Sequence, residues 1–208
     1  MSFPSQRLEV FTRATYPDGR ARRALASARR ALSAAIREIA IVDVFLLDGL
    51  PSLDPAVAAE VFCDAVAQEL LLNAPAAAGP AYGAWDHLVE ITVKPGVTDP
   101  VALTAREALH LCLPGGVPDT AIIQTAVQYL VSVDPGAAVD PTELARFFHN
   151  PLIQSAFSLT RASWEAGGGA PPPHKKTPPG APPPRGEGRH NPPQRRGVGG
   201  GRDGLGRP

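Results

Sequence analysis

The chain is expected to adopt an α+β fold: two βαβαβ-type units form a pseudo-dimer with helices packed on the sheets, followed by a disordered Pro/Gly-rich tail. Three observations lead there. Alternating strands are followed by capped helices, the same order of elements occurs twice, and Asp-Pro opens three of the helices. The duplicated domain is placed at residues 1–164, with a first copy at about 6–80 and a second at about 84–164. The tail covers residues 165–208.

The stretch His87 to Leu109 is the clearest unit. Val89, Ile91 and Val93 alternate with Glu90, Thr92 and Lys94, the period of two of a half-buried strand. Pro95 and Gly96 end that strand. Asp99 suits an N-cap and Pro100 the first helical position, so a helix should run to about Leu113. A shift of 81 residues places Leu8, Glu9 and Val10 on Val89, Glu90 and Ile91, and Asp18 on Asp99. Downstream, Ile41 to Leu47 matches Ile123 to Leu130 as an apolar strand, and Asp54-Pro55 and Asp140-Pro141 each open a further helix. Two copies are too few for a solenoid.

In chain order, Leu8 to Thr12 is the first strand and Arg20 to Arg37 the first helix. Leu25, Ala28, Leu32, Ala35 and Ile36 lie on one side of that helix, with Arg22, Arg23, Arg29, Arg30 and Arg37 on the other. Five arginines could hold phosphates. A solvated helix face is the commoner reason for such an arc, and no aromatic residues interleave to stack on bases. Nucleic acid is therefore not expected as a partner of the body. Ile39 to Leu47 is apolar on both faces apart from Asp43, as in a central strand or one covered by a partner. A second helix is expected over Pro55 to Leu72. Glu60, Asp64 and Gln68 form its wet stripe; the Glu60/Asp64 pair has no His or Cys at ligand spacing and reads as solvent-facing.

Residues 74–84, rich in Pro, Gly and Ala, read as a joint between the copies. Pro114-Gly115-Gly116 is a turn without the remainder of a phosphate loop. A strand follows at Thr120 to Val131, with Thr125, Val127, Tyr129 and Val131 on one face. Asp140 caps a fourth helix, with Glu143 at the N3 position of a capping box and Leu144, Phe147 and Phe148 towards the core. His149 ends that helix; it could be a ligand or a base, but a lone His at a helix C-terminus more often serves the helix dipole. Asn150 to Gln154 leads into a last strand, Ala156 to Trp164.

Composition sets limits. The 208 residues carry 20 Lys+Arg and 20 Asp+Glu, but the balance is uneven. Residues 1–164 hold 12 basic and 17 acidic side chains, residues 165–208 hold 8 and 3, so the tail is the part that would meet a polyanion. About 165 residues can bury about 70% of their unfolded surface. Cys63 and Cys112 are isolated in apolar helical contexts, with no ligand or disulfide spacing. With no signal peptide and no apolar run of about 18 residues, no membrane association and a cytoplasmic location are expected. Positions 167–208 contain 12 Gly and 11 Pro, too few apolar groups to offset chain entropy, so disorder is expected there. Such a tail could bind an SH3-type or RNA partner. Out-of-frame translation of GC-rich coding sequence would produce the same composition.

The stretch VEITVKPGVTDPVALTAREAL, then TAVQYLV, then NPLIQ before a final strand resembles the N-terminal region of phosphoribosylformylglycinamidine synthase. It is also similar to the small PurS-type subunit of the multi-subunit forms. The likeness covers about residues 6–164 and is strongest in the second copy. In the first, Thr12 to Gly19 lacks the Lys-Pro-Gly turn, Asn73-Ala74-Pro75 stands as a degraded counterpart of Asn150-Pro151, and a third strand is lost or merged into the joint. The resemblance implies a purine-biosynthetic, ATP-dependent amidotransferase whose ATP, Mg and glutamine sites lie in domains this chain lacks. It implies a non-catalytic assembly module, with the synthetase and glutaminase parts as partners and no catalytic, cofactor-binding or metal residues of its own.

Overall fold

The computed structural model describes residues 5–79 and 84–169. The tail from 170 onward, and with it most of the segment expected to be disordered, lies outside the described residues. One six-stranded antiparallel sheet carries the four longer helices on one face. Each half runs β-α-β-α-β: β1 (Gln6–Thr12), α1 (Gly19–Ala31), β2 (Ile36–Asp48), α2 (Pro55–Phe62), β3 (Gln68–Leu72); then β4 (His87–Val93), α3 (Pro100–Cys112), β5 (Ile122–Val133), α4 (Pro141–Phe148), β6 (Gln154–Thr160), closed by a short α5 (Arg161–Ala166).

The strand order β3-β1-β2-β5-β4-β6 is palindromic. β2 and β5 meet in the middle, with Asp43 opposite Val127. β1 and β4 each lie second from an edge, in equivalent places. Of the two readings of the doubly apolar strand, the structure has the first: β2 is central. The helices cross between halves: α1 and α4 cover Ile39, Ile41, Val89, Ile91 and Val131, and α2 and α3 cover Leu8, Leu47 and Ala121. Strand faces follow the two-residue period, since a slip by one would invert them.

The Asp caps form as the local chemistry requires. Asp18 accepts from the amides of Arg20 and Ala21, Asp54 from Ala56, Asp99 from Ala102 and Asp140 from Thr142. The Asp140 bond reaches the N2 amide, not the N3 amide of the expected capping box. The Pro-Gly-Gly turn has a steric reason. Gly116 has φ 72°, and a Cβ there would run into the His110 ring, whose Nδ1 accepts from Val117 N at 3.1 Å.

Several expected boundaries are corrected. α1 stops at Ala31, not Arg37. Ile36 and Arg37 belong to β2, because long pairing of β2 with β5 outweighs helix propensity, and Arg29 donates to the carbonyls of Ile36 (2.7 Å) and Arg37 (3.0 Å). α2 ends at Phe62, not Leu72. Asp64 then folds a turn by accepting from Val66 N and Ala67 N, and Gln68–Leu72 pairs with β1. The first half therefore has its third strand. The counterpart of Asn150 is Asp64, not Asn73: Gln68 Oε1 accepts from Asp64 N and Gln154 Oε1 from Asn150 N, each at 2.8 Å. Finally, β6 ends at Thr160. Its side chain caps α5 on Ser163 N, so Trp164 is helical and not in a strand.

Candidate functional site

The sheet face opposite the helices is not left to water. Ala76 and Ala77 of the expected joint, Trp85 and Trp164 cover Phe11, Val42, Val44, Leu88 and Leu130. The indoles of Trp85 and Trp164 meet edge to face at 5.6 Å, and Trp85 Nε1 donates to Ala77 O at 2.9 Å. Small side chains let Ala76 and Ala77 pack close to the sheet, so this part of the joint is a lid on the core and not a solvated linker.

Beneath it lies a charged network. Glu9 and Glu90 occupy equivalent places on β1 and β4, with side chains 0% and 1% exposed, and Arg7 spans both. Its Nε donates to Glu9 Oε1 and its Nη2 to Glu90 Oε2, each at 2.6 Å. Ala76 N donates to Glu9 Oε2 at 2.6 Å and Gln128 Nε2 to Glu90 Oε2 at 2.5 Å. Burial works against the Arg7 charge, but Glu90 and then Glu9 outweigh it and raise the guanidinium above its ordinary pKa. Both strands also pair with a neighbour on each side, so the network joins the halves through side chains as β2–β5 does through backbone. Its chemistry is adhesive: the guanidinium and both carboxylates are committed to one another.

A cavity of about 730 Å³ opens at the other end of β4, within the size range of small-molecule sites. β4 stops pairing with β5 at Thr92 opposite Ala126, whereas β5 continues along β2 to Ile122. Asp99 bridges part of the gap. Besides capping α3, its Oδ2 accepts from Thr125 N (3.1 Å) and the Thr125 hydroxyl (2.7 Å). Leu46, Val97, Leu103, Ile123 and Phe157 form the apolar walls. Glu90 also borders the cavity but is 2% exposed, and the Lys94 ammonium is turned onto the Pro151 carbonyl. Thr92, Thr98, Gln124 and Ser155 add polar groups to the same lining.

The residues weighed from sequence are scattered. Cys63 is the C-cap of α2, its thiol pushed up by burial; Cys112 is exposed at the end of α3. Glu60 is exposed on α2, while Asp64 lies beyond it and is held below the usual carboxylate range by the amides of Ala67 and Val66. His149 is the C-cap of α4, its Nδ1 2.5 Å from Ala145 O. Of the arginine arc, Arg22, Arg23 and Arg30 are exposed on α1, Arg29 ties the helix to β2, and Arg37 is exposed on β2. Asp43 receives a bidentate pair from Arg20, at 2.9 and 2.6 Å. No group of three or more metal-ligating side chains gathers among the described residues, and no described helix is long and apolar enough to cross a membrane. Arg7, Gln128, Trp85 and Trp164 were not singled out by sequence reasoning; the one available signal was Arg7-x-Glu9 on a strand whose partner copy repeats only the Glu.

The exposed large apolar side chains are unevenly spread. Val101, Leu103 and Leu111 on α3, Leu152 and Ile153 before β6, and Phe157 on β6 all belong to the second half; Tyr16 and Val66 represent the first. Contiguous exposed apolar surface marks interaction sites more often than isolated residues do. No protein-family model matches the chain, and a search of curated proteins finds no sequence similar to it.

Proposed function

We propose that this chain is a non-catalytic assembly module of a glutamine-dependent phosphoribosylformylglycinamidine synthase, made of two fused PurS-like units. The observation that carries the reading is the palindromic sheet, in which two β-α-β-α-β halves meet at β2 and β5 as two subunits of a dimer would. The motif resemblance supplies the family. The apolar outer face of α3 and the turn before β6 supply a docking surface for the synthetase and glutaminase parts. In this reading ATP, Mg and glutamine are bound by those partners, the module acts in the cytoplasm, and its surfaces hold the parts around the ammonia path.

The test is reconstitution with separately produced synthetase and glutaminase parts of such an enzyme, using the full chain and one ending at residue 166. Both should enter the complex and neither should catalyse alone. ADP release from the isolated chain that depends on glutamine and formylglycinamide ribonucleotide would overturn the assembly role. Complex formation lost with residues 167–208 would instead favour a binding protein acting through its basic, Pro-rich tail on an SH3-type or RNA partner.

A further inference from the structure

The two outer strands of the sheet are treated differently. β3 is five residues long, and its Glu69 pairs with Arg13 at 3.6 Å. Short length and charge are the usual means of blunting an edge against pairing with another chain. β6 has none of these features. It is seven residues long, Gln-Ser-Ala-Phe-Ser-Leu-Thr, with no charged residue and no proline. Its mid-point, Phe157, is 43% exposed on the face opposite the helices, and Ile153 just before it is 45% exposed.

We infer that β6 is a self-pairing edge, and that two copies of this chain join antiparallel along it to continue the sheet. The charge pattern selects the occupant. An antiparallel pair centred on Phe157 sets Ser155 opposite Leu159 and Gln154 opposite Thr160 of the second copy, so no like charges meet. The two Phe157 rings fall on the same face at the twofold, a favourable cross-strand aromatic pair. Pairing of β6 with β3 of another copy would bring the Glu69–Arg13 pair to the seam. It would also be head-to-tail and would not close, giving chains of molecules instead of a dimer. The same contact has a second consequence. Ser155, Ala156 and Phe157 also line the 730 Å³ cavity, so the second copy would lie beside it.

This inference does not rest on the assembly role: it concerns a different element and is read out without partners. The experiment is sedimentation velocity on the full chain from low to near-millimolar concentration, with hydrogen exchange on the same samples. The expected result is a concentration-dependent species of twice the 21.8 kDa chain mass, with slowed exchange confined to β6 amides. Phe157→Lys should yield monomer with an unchanged melting temperature, since it places two like charges at the twofold. Ser155→Lys, at an exposed position, should do the same if Phe157→Lys folds poorly. Glu69→Ser on β3 should leave the dimer intact. A monomer at every concentration, a dimer that survives both lysine variants, or a ladder of larger species would each overturn the inference.

Discussion

The two halves of the sheet use equivalent helices to opposite ends. A shift of 81 residues sets Arg20, Arg22 and Arg30 of α1 against Val101, Leu103 and Leu111 of α3. The inner faces match, with Ala28 and Leu109 fully buried at their respective contacts. The outer faces differ: α1 exposes arginines where α3 exposes apolar side chains. The same asymmetry runs beneath the sheet. Glu9 and Glu90 are equivalent and both buried, yet only the first half brings a cation: Leu88 stands where Arg7 would be repeated. One guanidinium serves two carboxylates, so the halves are alike in architecture and unequal in chemistry.

The largest effect is expected from removing that shared charge. Arg7→Met leaves two buried carboxylates without their cation and should cost about 3–5 kcal/mol, the usual result of breaking a buried pair from one side. Combining it with Glu9→Gln and Glu90→Gln should restore most of the loss, because no charge is then stranded. Urea unfolding of the single and triple variants measures both. An Arg7→Met protein with the parent's midpoint would mean that the halves are not joined through this network.

Smaller losses should separate the two helix entries. Asp99 caps α3 and also satisfies Thr125 N and its hydroxyl. Asp99→Ala should therefore cost about 2 kcal/mol, about half from the cap and half from the lost strand bonds. Asp140→Ala, which loses only a cap, should cost about 1 kcal/mol. Asp18 accepts from two amides of α1, so Asp18→Ala should resemble Asp140→Ala although Gly19 stands where α3 has Pro100. Thermal unfolding of the three variants gives the ranking; equal losses would remove the second task from Asp99.

These caps were legible because each is a local signal, an Asp followed by Pro or Gly at a helix start. Strand faces were legible for the same reason, since alternation needs no partner to be seen. The failures share a different cause. Gln68-Glu69-Leu70-Leu71-Leu72 has helix-forming residues, and only pairing with β1 makes it a strand. Ile36 and Arg37 continue the two sides of an amphipathic helix period, and only the pairing of β2 with β5 draws them out of it. The joint reads as a linker because Ala and Pro dominate it, but Ala76 and Ala77 are buried because they are small. Glu9 and Glu90 fall on the polar side of an alternation, and nothing in that pattern says a lid will cover them. The cavity is a product of β4 and β5 diverging, which no spacing records.

A pH effect should distinguish Gln6 from His87, which are equivalent on β1 and β4. Gln6 is buried and fully used, donating to Leu50 O and Pro51 O and accepting from Leu53 N. His87 is buried with no partner at Nδ1 among the described residues. Burial pulls its pKa below 6.5, with Asp86 opposing only in part. The unfolded chain therefore binds this proton more readily than the folded one. The His87 contribution is complete above about pH 6.5 and is lost as the pH falls from there towards the lower folded value. His87→Gln, copying the first half, should flatten the stability profile in that window. An unchanged slope would place the titration elsewhere.

The smallest effect on stability, and the sharpest test of the comparison, comes from making α3 resemble α1. Leu103 is 55% exposed and Leu111 86% exposed, so replacing each with Arg removes little buried surface. Leu103→Arg and Leu111→Arg should shift unfolding by no more than about 0.5 kcal/mol, as substitutions at open surface positions do. Leu109→Arg, two residues from Leu111 but fully buried, should prevent folding because it strands a charge among Leu8, Leu47 and Ala58. Under the proposed assembly role, the neutral pair should nonetheless weaken entry into a complex with the synthetase and glutaminase parts, since these side chains are the exposed apolar surface that role would use. Chemical denaturation and co-sedimentation on the same preparations separate the two effects. If Leu111→Arg proves as damaging as Leu109→Arg, the outer face of α3 is covered within the chain itself, and the contrast with α1 is one of packing and not of partnership.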